Sequence, residues 1–496
     1  MVAKVWTISF QGIEVIDIEV QVQMTNGLPS FAIVGLPDKA VAESRERIRN
    51  ALHTMGLALP AQKITVNLAP ASVHKEGSHY DLPIALGVLG AMGVLKKEEL
   101  EVCTAVGELS LDGSLLPVPG ILPAAFQSYL KNRRFICPYQ CGSEAAWIAN
   151  LDIVPIPSLL SLVNFFKGNQ VINPPTPKVA SFAPRTIDFK EIKGQLVARR
   201  ALEIAAAGGH NLLMSGPPGA GKSMLANRLP TILPNLEPAE ALELSMIYSV
   251  AGLLPEGRIL QQRPFRDPHH SASLASLIGG GHKAKPGEIS LAHKGVLFLD
   301  ELPEFSRGAL ESLRQPLESG KAVVSRANAH ITYPSDIQLI AAMNPCPCGY
   351  LGDMDRSCRR VPLCGKDYQK KISGPLLDRI DLHLSLPAIA PQDLATLKDG
   401  ETSHAIKERV IEARRIQFQR SKTILNSRLS NKQVEEWGNL TAESKTLLLT
   451  AAETFKLSAR SYYRVLKVAR TIADLAQEEC IARPHLAEAL SYRSIS

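Results

Sequence analysis

The alternation of hydrophobic and polar positions separates the chain into three regions, and the first is of mixed type. Up to about Asn169, short runs typical of strands, such as 63–68, alternate with longer stretches of helical spacing, such as 38–55. This order predicts an α/β domain over residues 1–170. Residues 1–10 alternate like a strand and have neither the apolar block nor the cleavage site of a signal peptide.

A proline-rich segment separates this domain from the second region. Four prolines lie between residues 173 and 184, and such a segment can form neither a helix interior nor a central strand. We therefore expect residues 171–187 to form a stiff, extended linker. Beyond it, residues 188–387 contain short apolar runs that end in glycine or polar residues, which predicts an α/β core with a parallel sheet.

The third region is predicted to be a helical lid. Residues 388–496 have almost no glycine and no strand pattern, and apolar residues recur at helical spacing in 405–419 and 459–478. No part of the chain approaches about 18 uninterrupted apolar residues, so we expect no membrane span, a cytoplasmic location and reduced cysteines. The net charge of +7 permits nucleic-acid binding without demonstrating it.

A phosphate-binding loop follows the first apolar run of the core. The run 211–215 leads into a glycine-rich loop and then a helical stretch, which is the context that a P-loop requires. Glycines let backbone N–H groups converge on phosphate oxygens, Lys222 neutralises the β- and γ-phosphates, and Ser223 offers its hydroxyl to Mg²⁺. The residues predicted to bind ATP are Gly216, Pro217, Pro218, Gly219, Ala220, Gly221, Lys222, Ser223 and Met224.

Two further apolar runs end in polar residues suited to ATP hydrolysis. The run 295–299 ends in two carboxylates, of which Asp300 is predicted to hold Mg²⁺ and Glu301 to orient and activate the attacking water. A core strand with a solvated acidic end is the alternative. The run 337–343 ends in Asn344, which can contact the γ-phosphate or the water, unless it only caps the turn before the next proline.

Three arginines are candidates for sensing or completing an ATP site. Arg379 has no obvious partner near its own P-loop, so we predict that it reaches the γ-phosphate on a neighbouring subunit, as arginine fingers do. A pair with a nearby aspartate on one helix is the alternative. Arg460 opens a helix of the lid and is the candidate for the residue by which the lid reports on nucleotide, with Arg464 one turn further as the competing choice.

Longer motifs resemble one family across essentially the whole chain. The stretches 265–271, 287–305, 344–349 and 373–381 look like those of the ComM/YifB family of magnesium-chelatase-like AAA+ proteins. The resemblance implies an ATP- and Mg²⁺-dependent DNA helicase. It would form a hexameric ring, act on single-stranded and branched DNA with recombination proteins, and drive branch migration during natural transformation.

The same resemblance implies two insertions that face the pore of the ring. One falls within Phe265 to Lys285 and the other is a hairpin at 322–332. Contact with phosphates and not with bases would let a motor track DNA without regard to sequence. The residues expected to contact DNA are His282, Lys283, Lys285, Arg326 and His330. The alternative is that both insertions are ordinary surface loops.

The first region resembles the Lon protease fold through residues 68–83. Lon proteases use a serine beside a lysine, whereas His79 stands at the serine position and Leu122 at the lysine position of this chain. We therefore expect a domain without protease activity that stabilises the ring or contacts DNA.

Four cysteines lie close together near the end of the core. Cys346, Cys348, Cys358 and Cys364 fall within nineteen residues of a loop, 344–366, that is rich in glycine, proline and charge. Tetrahedral zinc would stabilise such a loop, although the Cys-x-Cys spacing is tighter than usual and reduced structural cysteines are the alternative.

Two other functions compete with the DNA motor. A magnesium-chelatase motor subunit shares the AAA+ core but needs neither the Lon-like region nor the cysteine loop. A protease or chaperone motor would act on proteins, and the missing serine and lysine argue against the protease.

Overall fold

The computed structural model describes residues 2–178, 187–281, 284–326, 329–351, 362–388 and 399–493, with backbone alone for 325–326 and 329–330. Two separate sheets and a group of helices follow one another along these residues. This organisation agrees with a mixed α/β chain that ends in a helical region. Residues 171–178 of the expected linker have no regular structure, and the rest of it up to residue 186 lies outside the described part.

The N-terminal domain is built on a mixed, seven-stranded sheet in the order β3-β4-β2-β1-β5-β8-β9. Its strands are β1 Ala3–Gln11, β2 Glu14–Thr25, β3 Ser30–Val34, β4 Lys63–Ala69, β5 Cys103–Ala105, β8 Arg134–Pro138 and β9 Ile153–Ile156, with a small hairpin of β6 Glu108–Leu109 and β7 Leu115–Leu116. The predicted strands at 1–10 and 63–68 are confirmed. β1 pairs with β2 in antiparallel register, with Gln11 opposite Glu14, so the turn between them consists of Gly12 and Ile13.

Six helices accompany this sheet. They are α1 Lys39–Thr54, α2 Asp81–Ala91, α3 Lys97–Glu101, α4 Ile121–Leu130, α5 Gly142–Ala145 and α6 Leu159–Phe166. α1 begins where the side chain of Asp38 accepts a hydrogen bond of 2.7 Å from the backbone N–H of Val41, which satisfies one of the unpaired donors at a helix start. α2 is apolar on every side and is buried against β1 and β2.

The second domain has five parallel strands in the order β11-β14-β17-β10-β18. They are β10 Leu212–Ser215, β11 Phe265–Arg266, β14 Val296–Leu299, β17 Gln338–Met343 and β18 Leu382–Ser385. Two hairpins stand apart from this sheet, one formed by β12 Gly279–Gly280 and β13 Lys285–Pro286, the other by β15 Lys321–Arg326 and β16 Ala329–Pro334. The three apolar runs that carry the predicted ATP chemistry are therefore neighbouring strands, β14, β17 and β10.

Short and long helices surround the parallel sheet. They are α7 Leu196–Gly208, α8 Lys222–Ile232, α9 Pro238–Ala251, α10 Leu274–Ile278, α11 Glu288–Leu291, α12 Arg307–Ser312, α13 Arg314–Ser319, α14 Leu363–Gln369 and α15 Gly374–Leu377. α9 starts with a proline, and the backbone N–H of Glu237 donates a hydrogen bond of 3.3 Å to the carboxylate of Glu240; both features favour a helix beginning there.

The described part of the third region is helical, as the spacing of its apolar residues predicts. Its helices are α16 Ser403–Ser421, α17 Asn431–Trp437, α18 Ala442–Thr454, α19 Ala459–Leu475 and α20 Arg483–Ser491. Apolar residues of α16 and α19 share one buried cluster with α7 and α8. The buried guanidinium of Arg414 donates two hydrogen bonds, of 3.1 and 2.6 Å, to the carbonyl of Ala206 near the end of α7. The lid is therefore packed directly on the sheet domain.

No helix within the described ranges is both long and apolar enough to cross a membrane.

Candidate functional site

The P-loop connects β10 to α8 at the carboxyl edge of the parallel sheet. Gly219 and Gly221 have φ angles of +78° and +84°, which side chains other than glycine rarely adopt, and α8 begins at Lys222. The ammonium of Lys222 is buried and donates to the carbonyl oxygens of Gly216 (2.7 Å) and Pro217 (3.0 Å). Burial lowers the pKa of Lys222, while the nearby carboxylates of Asp300 and Glu301 oppose that shift.

The ends of β10 and β14 bring together the side chains expected at a Mg²⁺ site. The hydroxyl of Ser223 donates a hydrogen bond of 2.7 Å to Asp300, so the alcohol and the carboxylate expected to hold the cation face each other. Asp300 also accepts a hydrogen bond of 2.9 Å from the backbone N–H of Glu301. The donor set, a hydroxyl and a carboxylate beside a nest of backbone N–H groups, fits Mg²⁺ bound with a triphosphate.

Asn344 lies where β17 ends, between the P-loop and Asp300. β17 pairs with β14 on one side and β10 on the other, so its carboxyl end is central in the site. The amide oxygen of Asn344 accepts a hydrogen bond of 3.0 Å from Lys222. The residue therefore contacts the phosphate-binding lysine.

Two residues that the sequence reasoning did not single out also reach this edge. His270 and Asp267 follow β11, the strand next to β14, and Nδ1 of His270 lies 3.2 Å from the carboxylate of Glu301. Burial and the charge of Asp300 raise the pKa of Asp267. Both residues lie shortly after Phe265 and Arg266, and a strand of these two residues is too short to be detected by alternation.

The candidate arginines gather at a different place, around a cavity of about 470 Å³ between the sheet domain and the lid. Arg379 is nearly buried and forms an ion pair with Glu318, and Arg460 contacts the same carboxylate at 3.3 Å. The alternative in which Arg379 pairs with a nearby aspartate is wrong, because its carboxylate partner lies on α13. Among the described residues that line this cavity, the charged ones are Glu318, Arg379, Arg428, Arg460, Arg464 and Lys467.

This cavity lies at the amino edge of the sheet, opposite the P-loop. The carbonyl of Arg379 accepts a hydrogen bond of 2.9 Å from the side chain of Asn211, which directly precedes β10, whereas Lys222 follows that strand. The four residues of β10 span roughly 13 Å. Arg460 and Arg464 line the same cavity as Arg379. The contacts described for these two arginines are not with the P-loop.

Comparison with known proteins identifies the family. Over 500 residues the chain is 44% identical to Competence protein ComM of Haemophilus influenzae, with 99% of this chain and 97% of that protein covered. It is also 44% identical to the YifB protein of Escherichia coli over 486 residues, covering 98% and 95% of the two chains. The chain belongs to the ComM/YifB family. It is thus a magnesium-chelatase-like AAA+ ATPase.

Family models agree with this membership along the chain. The models described as subunit ChlI of Mg-chelatase, magnesium chelatase subunit ChlI and magnesium chelatase subunit ChlI C-terminal match residues 20–141, 188–394 and 400–493. The similarity to a chelatase subunit itself is narrower. The magnesium-chelatase 67 kDa subunit of Chlorobaculum tepidum is 28% identical over 163 residues, which is 32% of this chain and 23% of that protein.

The two insertions expected in this ComM/YifB member lie against each other. Tyr333 of β16 donates a hydrogen bond of 2.8 Å to the carbonyl of Ala284, which directly precedes β13. Of the residues expected to contact DNA, Lys285 is exposed on β13. His282 and Lys283 lie outside the described residues, as do the side chains of Arg326 and His330.

The cysteines of the loop are described only in part. Sγ of Cys346 lies 3.1 Å from Sγ of Cys348, and Cys364 is buried in α14. Cys358 lies outside the described residues. Within the ranges that the structure covers, no group of three or more His, Cys, Asp or Glu side chains is placed to hold a metal ion. The described residues thus do not support the zinc site, which stays a prediction.

His79 and Leu122 stand at the two positions where the resemblance to the Lon protease fold leads us to expect a serine and a lysine. His79 is buried, with its Nε2 2.9 Å from the carbonyl oxygen of Ile8. Leu122 is fully buried in α4. The adjacent hydroxyl of Ser78 donates to the carboxylate of Glu108. These two positions therefore serve the packing of the domain.

Proposed function

We propose that this ComM/YifB family member is an ATP-driven, ring-shaped DNA motor that promotes branch migration during recombination of incoming DNA. The observation that carries the proposal is a P-loop ATP site in the same chain as two hairpins whose bases are joined by a hydrogen bond. The name of the relative from Haemophilus influenzae, a competence protein, points to the same process. Single-stranded and branched DNA are the proposed substrates, and recombination proteins are the proposed partners.

Hydrolysis uses the carboxyl edge of the sheet. Lys222 and the backbone N–H groups of the P-loop would bind the phosphates, and Ser223 and Asp300 would hold Mg²⁺, which would screen the negative charge of those phosphates. Glu301 accepts a proton from the water that it orients toward the γ-phosphate. Asn344, already bonded to Lys222, fixes the position of that water from the neighbouring strand.

A neighbouring subunit completes this ATP site. Arg379, Arg460 and Arg464 lie at the amino edge, about 13 Å of strand away from their own P-loop. A cavity lined by five basic groups and one carboxylate suits the γ-phosphate of ATP bound to the next protomer. Such a head-to-tail contact closes into a ring, for which we propose six subunits. In this arrangement Arg460 senses the neighbour's nucleotide.

DNA passes along the two hairpins in this proposal. Lys285 is exposed on β13, and His282, Lys283, Arg326 and His330 belong to the same two insertions. Contacts from such side chains to phosphates give binding that is independent of base sequence and weakens with salt. A structural Zn²⁺ held by Cys346, Cys348, Cys358 and Cys364 belongs to the same proposal, and metal analysis of the purified protein tests it.

The alternative is a motor that remodels a protein partner, as in chelatase or protease systems. The match to the 67 kDa chelatase subunit favours it, but that match covers only 32% of this chain and 23% of the subunit. The N-terminal domain carries His79 and Leu122 where a Lon-type protease needs serine and lysine, which argues against proteolysis. The response of ATP hydrolysis to DNA separates the DNA motor from both.

The test compares the wild type with Glu301→Gln. We expect single-stranded and branched DNA to raise the wild-type rate of ATP hydrolysis several-fold, less so at higher salt. Glu301→Gln is expected to bind ATP normally but to hydrolyse it at least about 100-fold more slowly than the wild type, because it lacks the general base. A wild-type rate that DNA leaves unchanged at every salt concentration would contradict the DNA motor.

A further inference from the structure

The turn between β1 and β2 of the N-terminal domain contacts the second hairpin. Gly12 has a φ of +73°, and a methyl group added to its Cα would lie 2.9 Å from the carbonyl oxygen of Thr332 and 3.1 Å from a methyl of Ile331. Only glycine allows this approach without displacement of the β16 backbone. Residues more than 300 positions apart in the chain are thus in direct backbone contact.

Ile13, the second residue of this turn, is inserted between two apolar groups. On one side it packs against Ala284, Val324 and Tyr333, which come from the insertion before β13 and from β15 and β16. On the other side it packs against a cluster formed mainly by α9, which includes Leu244. The same side chain therefore packs against both the apolar cluster at the hairpin bases and the cluster on α9.

The remainder of the N-terminal domain is fixed to α9, so the turn is not a loose contact. The backbone N–H of Gly120 donates to the carbonyl of Ser249 at 2.9 Å, and that of Leu122 donates to the Ser249 hydroxyl at 3.2 Å. The indole N–H of Trp147 donates to the carbonyl of Gly257 at 3.0 Å. The domain that carries the turn is thereby attached to α9 and to the segment that follows it.

We propose that the β1–β2 turn, Gly12 and Ile13, is the seat that positions both DNA-engaging hairpins. The N-terminal domain would then act in the motor by limiting the motion of the hairpins and by transmitting movement of α9 to them. This inference rests on the proposed function for its DNA part. Its structural part, the seating of the hairpins, holds whether or not DNA is the substrate.

The first test measures amide hydrogen exchange in the full-length protein without ATP or DNA. Ile13→Ala is expected to speed exchange several-fold in β15 and β16, because it removes the apolar contact beneath them. The matched control is Ile33→Ala, since Ile33 is also half-buried but packs within the N-terminal domain. Ile13→Val keeps a branched side chain at the contact and is expected to restore slow exchange.

The second test measures ATP hydrolysis as DNA is added. Ile13→Ala is expected to retain the rate without DNA and to need several-fold more DNA for half-maximal stimulation, whereas Ile33→Ala behaves as the wild type. If Ile13→Ala left hydrogen exchange in β15 and β16 unchanged, or if Ile33→Ala raised it equally, the proposal that the turn positions the hairpins would be wrong. Faster exchange with a normal DNA response would overturn its role in coupling. If DNA did not change the rate of ATP hydrolysis by the wild type, the proposed function would be refuted. The hydrogen-exchange test would then still decide whether the β1–β2 turn positions the hairpins.

Discussion

At the scale of single residues, the proposed general base is held in an unusual conformation. Glu301 has a φ of +51°, in the left-handed region, which costs an ordinary residue about 1–2 kcal/mol. Its backbone N–H is bonded to Asp300 and its carboxylate lies 3.2 Å from His270. Strain of this kind persists where surrounding contacts fix a functional group, so His270 is one of the contacts that determine where the carboxylate points.

Replacing His270 tests that contact. The segment after His270 leads through α10 into the first hairpin, so the imidazole connects the general base to a proposed DNA-binding insertion. We expect His270→Ala to raise ATP hydrolysis without DNA about twofold to fivefold and to weaken DNA stimulation, since a half-exposed polar contact of this kind is worth about 0.2–1 kcal/mol. Steady-state rates with and without single-stranded DNA measure both effects.

The neighbouring histidine supplies the control. His269 packs against His270, with ring centroids 4.1 Å apart and the rings tilted by 34°, but it is hydrogen-bonded to Ser271. His269→Ala should therefore leave both rates close to wild type. If His270→Ala instead lowered hydrolysis as far as Glu301→Gln does, the imidazole would support the general base and not restrain it.

At the scale of elements, the strands that build the ATP site could be predicted from the sequence. Each is a short apolar run followed at once by a polar or glycine residue, as in the runs that precede Gly216, Asp300 and Asn344. Because parallel strands place their carboxyl ends at one edge, these residues were expected to meet, and the hydrogen bonds from Ser223 and Lys222 show that they do.

Contacts between distant elements could not be predicted in this way. Arg460 was expected to report on nucleotide, but its position in the sequence did not indicate that it lies beside Glu318 and Arg379. The packing of Ile13 against the cluster that contains Val324 and Tyr333 joins segments more than 300 residues apart. Periodicity shows which face of an element is buried but not against which element, and that choice is made by tertiary packing.

A buried carboxylate joins the lid to the amino edge of the sheet. Asp381, directly before β18, accepts a hydrogen bond of 3.1 Å from the backbone N–H of Asn211 and lies 3.4 Å from His210. It also forms an ion pair with Arg464 of α19. Although burial would raise the pKa of Asp381, these partners hold it well below its usual range.

Replacing Asp381 should therefore lower stability in a manner that depends on pH. A folded-state pKa below the unfolded value of about 3.9 stabilises the protein above that pH, and the stabilisation is lost as the pH falls toward the folded-state pKa. We expect Asp381→Asn to cost about 3–5 kcal/mol near pH 7, because it leaves Arg464 without its buried partner. The gap in melting temperature between wild type and variant should narrow below about pH 4.

An exposed aspartate serves as the control for that measurement. Asp399 lies 3.7 Å from Lys193 and is 71% exposed, so Asp399→Asn should change the melting temperature little at any pH. If the Asp381→Asn protein had the same melting temperature as the wild type at pH 7, the ion pair with Arg464 would not hold the lid.

At the scale of the whole molecule, one protomer contains the two parts that are proposed to form an ATP site between subunits. The P-loop lies at the carboxyl edge of the sheet and the arginine cavity at the amino edge. The apolar cluster shared by α7, α8, α16 and α19 fixes the lid to the sheet, so Arg460 and Arg464 cannot reach their own P-loop without loss of that packing. Hydrolysis is therefore expected to require contact between protomers.

Mixing two inactive variants tests that requirement. Lys222→Ala removes phosphate binding but keeps the arginine cavity, and Arg379→Ala does the reverse. Each is expected to be inactive alone, whereas in an equal mixture about a quarter of the interfaces would pair an intact P-loop with an intact Arg379. The rate of ATP hydrolysis should then rise well above the sum of the separate rates. The control mixes Arg379→Ala with a protein carrying both substitutions, which supplies no Arg379 and should restore nothing. If the mixture hydrolysed ATP only at the sum of the two separate rates, Arg379 would act on the ATP site of its own subunit.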